Sequence, residues 1–237
     1  MKLKDLVPSK DYSNELQIHK KLNYKLWQDE EMKPKILKKL NMIVDAFIKL
    51  KKIEEKILDV IIIGSSCDIN YTNKSDIDIH LVVDLDEESD EYKLLVMECK
   101  LWNETPIFIF THKVEISPQS KNSSTISKDA AQFSIKHNKW IKEPNYEFSI
   151  TDDMKNEINK QVETTIQLAH SYYKQNDGIG LQKLIKKLKD ERRDAVSTDG
   201  EMSIPNLVFK TLRNLGCIAE WMDRVLRFEL LEKLNRV

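Results

Sequence analysis

The fold is decided by two runs, Leu58-Asp59-Val60-Ile61-Ile62-Ile63-Gly64-Ser65 and, after ten intervening residues, Asp76-Ile77-Asp78-Ile79-His80-Leu81-Val82-Val83. The first run is β-branched, too short for a helix and apolar on both faces, which predicts a buried strand that ends at Gly64. The second run alternates acidic and aliphatic residues before it becomes wholly apolar, which predicts another strand. A β-sheet core is therefore expected in the middle of the chain.

The composition outside these runs favours helices. The 237 residues include only five glycines and six prolines, which excludes collagen-like, linker-like and turn-dense all-β chains. Helices are predicted over 11–31 and 34–57, and a second set is predicted over 152–175, 179–196, 205–215 and 217–235. Gly178, Gly180, Gly200 and Gly216 fall between the helices of the second set and are expected to end them.

The segment between the second run and the C-terminal helices completes the predicted core. A helix is expected after the acid-rich residues 86–91. Strands are expected over 107–110 and 131–141. Residues 113–117 either continue the strand over 107–110 or form its neighbour. The polar segment 119–130 is predicted as a loop, and it is the best candidate in the chain for a mobile or binding loop.

The predicted fold class is therefore α+β, with a mixed core sheet of four to five strands between N-terminal helices and a C-terminal helical bundle. We expect an N-terminal helical arm over 1–57 that packs on the core, the core itself over 58–150, and a C-terminal helical domain over 151–237.

Charge and cysteine content indicate the environment of the protein. Lys and Arg number 38 against 39 Asp and Glu, a formal net charge of -1, so bulk electrostatics do not indicate a nucleic-acid or membrane partner. Cys67, Cys99 and Cys217 lack metal-site spacing and favour reduced thiols. The stretch MKLKDLVPSKDYSNE lacks the apolar segment of a signal peptide, and no run approaches the ~18 apolar residues of a membrane span. We expect a soluble cytoplasmic protein with no membrane partner, and its oligomeric state stays open.

Asp76 and Asp78 are the candidate chemical centre. Side chains at positions i and i+2 of a strand share a face, so these two carboxylates point into the same space. Two adjacent carboxylates repel each other unless a cation lies between them, and hard oxygen ligands suit Mg²⁺ or Mn²⁺. A third carboxylate is expected from a neighbouring strand, where Glu115 is the candidate. Gly64 with the amides and hydroxyls of Ser65 and Ser66 could bind phosphate oxygens.

Each of these residues also has an ordinary structural explanation. Alternating acids are typical of the solvated face of an edge strand. Glu115 is a plain surface acid unless its strand is in register with Asp78, and a Gly-Ser pair is a common strand-ending turn. The wholly apolar continuation after His80 favours the catalytic interpretation, because the acids occupy only the end of the strand that meets the loop.

Together these pieces resemble a known signature. Gly64-Ser65, the ten-residue spacer, Asp76-Ile77-Asp78-Ile79 and Val114-Glu115-Ile116 are similar to the motif of the nucleotidyltransferase superfamily, which includes DNA polymerase β, poly(A) polymerase and the CCA-adding enzymes. A closer likeness, over most of the chain after residue 58, is to small, mostly phage-encoded or bacterial nucleotidyltransferase-domain proteins of uncharacterised substrate. That likeness adds Asn138-Lys139-Trp140-Ile141 and Ser203-Ile204-Pro205-Asn206-Leu207-Val208-Phe209-Lys210-Thr211-Leu212-Arg213.

The resemblance implies a function and a set of roles. Asp76 and Asp78 would be metal ligands, and Glu115 a third ligand that can also activate an acceptor hydroxyl. The expected reaction is Mg²⁺- or Mn²⁺-dependent transfer of NMP from an NTP to that hydroxyl, with release of pyrophosphate. The acceptor could be an RNA 3′ end, which is slightly favoured, a protein hydroxyl, a small molecule or a second nucleotide. The alternative from another class is a non-catalytic nucleotide- or RNA-binding module of the same fold.

A basic stretch in the C-terminal part is the candidate for phosphate binding. Its cationic residues are Lys183, Lys186, Lys187, Lys189, Arg192 and Arg193. Such a run usually marks a solvated helix face, but Lys183 and Lys187 could hold the triphosphate or the phosphates of an RNA acceptor. Lys210 and Arg213 form a second candidate pair.

Overall fold

The computed structural model describes residues 11–73, 75–123 and 130–234. They divide into two compact units, one formed by Gln17–Phe148 and the other by the residues up to Leu16 together with those from Ser149 onward. Within the described residues, the fold comprises six α-helices, a six-stranded mixed sheet and a two-stranded hairpin. The predicted α+β class is confirmed, and the sheet has more strands than the four to five expected.

The first unit, called the sheet unit, contains every strand found in the described ranges. Its elements in chain order are β1 (Trp27–Gln28), β2 (Glu31–Met32), α1 (Pro34–Lys51), β3 (Ile57–Ile63), β4 (Ile77–Val83), α2 (Asp90–Asn103), β5 (Ile107–Ile109), β6 (His112–Ser120), β7 (Gln132–Ser134) and β8 (Lys139–Lys142). The strand order of the large sheet is β5-β6-β4-β3-β7-β8. β4 and β6 are parallel, and every other neighbouring pair is antiparallel.

The core of this unit lies between α1, α2 and one face of the sheet. Buried side chains of β4 and β6 pack with buried side chains of the two helices; the main ones are Leu40, Val44, Phe47, Ile77, Ile79, Leu81, Leu95, Cys99, Val114 and Ile116. Since alternate strand residues point to opposite faces, Asp78 and Glu115 lie on the face away from this core. Burial of the aliphatic face, worth about 1.5–3 kcal/mol for each large side chain, therefore determines which face carries the acids.

The second unit, called the helical unit, contains α3 (Asp152–Lys174), α4 (Gly178–Asp199), α5 (Ile204–Asn214) and α6 (Cys217–Leu234). The four helices predicted for this part of the chain are confirmed. The Thr151 side chain accepts a hydrogen bond from the Met154 amide and caps α3. A 3₁₀ turn at Tyr12–Glu15 belongs to the same unit, and the Asn159 side chain of α3 donates to Asp11 beside it.

The predicted helix over 11–31 is wrong. The segment contains the 3₁₀ turn, an irregular stretch and the β1–β2 hairpin. Leu22, Leu26 and Trp27 are buried in the core of the sheet unit, and the His19 amide donates to the Ile69 carbonyl at 2.8 Å. Tertiary burial therefore overrides a periodicity that would have suited an isolated helix.

Other boundaries also differ from the prediction. α1 ends at Lys51, because Lys52 adopts a left-handed conformation with φ of 55°, so the helix does not extend to residue 57. The strand expected over 131–141 is two short antiparallel strands, with Asn138 at φ 50° in the turn between them. The predicted loop over 119–130 begins inside β6, and its residues 124–129 lie outside the described residues.

Gly178 and Gly180 do not end a helix as predicted. Both lie in the first turn of α4, where the Asp177 side chain accepts from the Gly180 amide and caps the helix. Gly200 and Gly216 do lie between helices and have φ of 85° and 81°. No helix in the described part of the chain is long and apolar enough to cross a membrane.

Candidate functional site

The predicted acids lie at one end of the central strands. Ile63 of β3 pairs with Asp78 of β4. Asp78 in turn pairs with Glu115 of β6, which runs parallel to β4. Ile63, Asp78 and Glu115 therefore form one row across three adjacent strands, and residues in such a row present their side chains to the same face. This register of Glu115 with Asp78 is the condition that the sequence alone left open.

Asp76 and Lys113 form the next row. Each lies one residue before the first paired position of β4 and β6, and buried and partly exposed residues alternate along both segments. Asp76 therefore shares the face of Asp78, and Lys113 shares the face of Glu115. We call these four residues, Asp76, Asp78, Lys113 and Glu115, the acidic patch. It combines three carboxylates with one ammonium group.

Gly64 provides the close approach on which the patch depends. Its φ is 74°, and a Cβ atom added at this position would lie 2.8 Å from Oδ2 of Asp78. A side chain here would have to displace the carboxylate, and the positive φ would strain any residue other than glycine. The glycine that ends β3 thus leaves the space that the Asp78 carboxylate occupies.

Lys113 is the counter-ion of the patch. Its Nζ lies 2.5 Å from Oε1 of Glu115, and the two side chains keep 30% and 36% of their surface exposed. The hydrogen bond to Glu115 raises the pKa of Lys113, burial opposes this rise, and the charges of Glu115 and Asp76 add to it. Lys113 therefore interacts with two of the three carboxylates.

A buried histidine holds the backbone that enters β4. His112 is fully buried, and its Nδ1 lies 2.7 Å from the Ser75 carbonyl. The carbonyl can only accept, so the ring hydrogen is on Nδ1, and Nε2 accepts from the Asn23 amide at 3.2 Å. Because Ser75 directly precedes Asp76, this chain of hydrogen bonds positions the first acid of the patch.

The predicted phosphate-binding residues form a single 3₁₀ turn, Gly64–Cys67. Ser65 is partly exposed, whereas Ser66 is 2% exposed and its carbonyl accepts from Nε1 of Trp27 at 2.8 Å. The Ser66 hydroxyl is therefore beneath the surface, and Gly64 and Ser65 are the accessible members of the turn. Cys67 is fully buried, so its side chain packs in the interior.

The three carboxylates of the acidic patch fit a divalent cation in their ligand atoms and in their position on adjacent strands. Asp76, Asp78 and Glu115 supply only carboxylate oxygens, which Mg²⁺ and Mn²⁺ prefer. As the side chains stand, no group of three His, Cys, Asp or Glu residues within the described ranges could hold a metal ion. Glu115 is turned to Lys113, so it would have to leave that partner to join a ligand set.

The lysines predicted to bind nucleotide lie on α4, in the helical unit. Lys187 is exposed and its Nζ lies 3.6 Å from Oε1 of Glu191. Lys183 lines a groove of about 480 Å³ between α4 and α6. The groove is lined by four apolar side chains, Ile185, Met222, Val225 and Leu226, and by the polar residues Gln182, Lys183, Lys186, Lys189 and Glu229. The roles of Lys183 and Lys187 in nucleotide binding stay predictions.

Of the second basic pair, Lys210 is buried in an ion pair, and the role of Arg213 stays a prediction. Lys210 is 5% exposed, and its Nζ lies 2.9 Å from Oε2 of Glu201. Burial alone would raise the pKa of the Glu201 carboxyl, but Lys210, Arg192 and Asn206 hold it below its ordinary value. These residues form a buried polar network that belongs to the interior of the helical unit.

Comparison of the chain with protein-family models, with curated proteins and with solved structures gives no match.

Two residues of the site had no functional assignment from the sequence. Lys113 could have been found, because it lies two positions before Glu115 and strand periodicity places both on one face. His112 gave no such signal, since its partners Asn23 and Ser75 are 89 and 37 positions away. Only the folded chain brings these three residues together.

Proposed function

We propose that this protein is a metal-dependent nucleotidyltransferase that moves NMP from an NTP to an acceptor hydroxyl. The observation that carries the proposal is the row formed by Asp78 and Glu115, with Gly64 packed against the Asp78 carboxylate. On a solvated edge strand, an acid could extend into solvent, so its neighbour would not have to be a residue without a side chain. The face that carries the acids is also the face away from the helices of the core.

Each residue has a role in the proposed reaction. Asp76, Asp78 and Glu115 would hold Mg²⁺ or Mn²⁺, which supplies positive charge to the phosphates when it is bound. The backbone amides at Gly64 and Ser65 would donate to phosphate oxygens. Glu115 would accept the proton of the acceptor hydroxyl as the new oxygen–phosphorus bond forms at the α-phosphate. The bond to the β-phosphate breaks, and pyrophosphate carries away its electron pair.

The direct test is incubation of the protein with each α-³²P-labelled NTP, Mg²⁺ or Mn²⁺ and a cellular extract. We expect label to be transferred to one class of acceptor by the unchanged protein and not by the Asp78→Asn variant. Asp84→Asn is the matched control, because Asp84 is an exposed aspartate directly after the opposite end of β4. Equal labelling by Asp78→Asn and the unchanged protein would reject the assignment.

A non-catalytic nucleotide-binding module is the second candidate. The pairing of Glu115 with Lys113 favours it, because this ammonium occupies an oxygen that a catalytic ligand set would use. Calorimetry with a non-hydrolysable NTP distinguishes the two functions. Binding that is independent of Mg²⁺, together with no labelled product, would support the module, whereas Mg²⁺-dependent binding supports the enzyme.

The proposed acceptor is an RNA 3′ end, and transfer to a protein or small-molecule hydroxyl is the alternative. The exposed lysines of α4 support RNA, because backbone phosphates are bound mainly by such cations. RNA binding measured at low salt should weaken in a Lys183→Glu/Lys187→Glu double variant. Absence of RNA binding by the unchanged protein would direct the search to the other acceptors.

A further inference from the structure

The contact between Lys113 and Glu115 is the starting point. The ammonium lies 2.5 Å from a carboxylate oxygen that the proposed function assigns to a divalent cation. It also interacts with the charge of Asp76. A single side chain of the protein thus neutralises part of the negative charge to which a cation would bind.

The pair is also weak enough to exchange. Both side chains are about one-third exposed, and exposed ion pairs of this kind are worth about 0–1 kcal/mol. Breaking the contact therefore costs little, in contrast to a buried pair. Glu115 cannot keep Lys113 at this distance and present the same oxygen to a divalent cation, because the two cations repel each other at short range.

From these observations we infer that Lys113 is an internal competitor of the divalent cation at the acidic patch. Without the cation, the ammonium holds Glu115; when the cation binds, Glu115 is released from Lys113. Lys113 thereby sets the cation concentration at which the site is filled. This inference rests on the proposed function, since it takes the three carboxylates as the ligand set, but it concerns cation binding and not transfer.

The test measures Mn²⁺ binding by the full chain without nucleotide, using the electron paramagnetic resonance signal of free Mn²⁺. Lys113→Met should bind Mn²⁺ about fivefold more tightly than the unchanged protein, which corresponds to the upper value for one exposed ion pair. Lys113→Arg keeps the charge and should show no gain.

Lys121→Met is the matched control. Lys121 forms an exposed ion pair with Asp84 at 2.7 Å, directly after the opposite ends of β6 and β4. Its removal deletes a comparable pair from the same two strands and should leave Mn²⁺ affinity unchanged. Asp78→Asn in combination with Lys113→Met should abolish the gain, which locates the gain at the acidic patch.

The outcomes separate this inference from the proposed function. If the unchanged protein binds Mn²⁺ and Lys113→Met binds it no more tightly, the inference is overturned and the proposed function stands. A gain that is equal in Lys121→Met also overturns it, because the effect would then be one of general charge. If neither the unchanged protein nor folded Lys113→Met binds Mn²⁺, the metal site of the proposed function fails and the inference fails with it.

Discussion

Two lysine–glutamate pairs, one in each unit, show how burial changes the role of the same chemical contact. In the helical unit, the side chains of Lys210 and Glu201 are 7% and 14% exposed, and Nζ lies 2.9 Å from Oε2. In the sheet unit, Lys113 and Glu115 are 30% and 36% exposed at a separation of 2.5 Å. The buried pair cannot lose one partner cheaply, whereas the exposed pair can exchange its cation.

Further polar groups surround the buried pair of Lys210 and Glu201. Glu201 also accepts from the Asn206 side chain, which in turn accepts from Arg192 at 2.9 Å. Arg192 lies over the Phe209 ring at 5.1 Å. The hydrogen-bonding capacity of the buried carboxylate is therefore met by several groups, which is the arrangement expected of a structural pair.

The largest expected effect comes from breaking the buried pair. Lys210→Met leaves the Glu201 carboxylate buried without its main counter-ion, and we expect the free energy of unfolding to fall by about 3–5 kcal/mol. Urea denaturation measures this loss. The double variant Lys210→Met/Glu201→Gln should recover much of it, because no buried charge is left; a double variant as unstable as the single one would contradict the explanation.

The pH dependence of stability gives the next test. The pKa of Glu201 is lower in the folded chain than its ordinary value of 4.5, so its stabilising contribution is present above that value. The contribution is lost as the pH falls from 4.5 through the lower pKa of the folded state. Below pH 4.5 the unchanged protein should lose stability more steeply than Glu201→Gln. Parallel stability curves for the two proteins would show that Glu201 does not carry this effect.

A smaller effect is expected from Gly64→Ala, which tests the contact beside the exposed pair. The positive φ alone should cost about 1–2 kcal/mol, and the Cβ atom would also press on the Asp78 carboxylate. Gly216→Ala is the matched control, since Gly216 has φ of 81° and no atom within 4 Å of a built Cβ. Both variants should lose stability in thermal denaturation, but only Gly64→Ala should lose Mn²⁺ binding.

The smallest effect is expected from the exposed pair itself. Lys113→Met should change the free energy of unfolding by less than about 1 kcal/mol, measured by urea denaturation at neutral pH. A loss comparable to that of Lys210→Met would mean that the Lys113 pair is structural, and the distinction between the two pairs would then disappear.

Much of this fold could be predicted from local patterns. The buried β3, the four C-terminal helices and the shared face of Asp76 and Asp78 each follow from a period that extends over a few residues. The helix prediction over 11–31 was wrong because this segment does not follow its local pattern. Leu22, Leu26 and Trp27 pack into the core of the sheet unit instead. Distant partners decided their conformation.

The same division holds at the candidate site. The sequence by itself determined that Gly64 follows a buried strand. It also determined that Asp76 and Asp78 share one face of their strand, and that Lys113 and Glu115 share one face of theirs. Only the tertiary structure decided that Asp78 is level with Glu115, that Gly64 faces Asp78 and that Lys210 is buried while Lys113 is not. Strand periodicity is a local property of the chain, whereas register and burial depend on residues that are far apart in sequence.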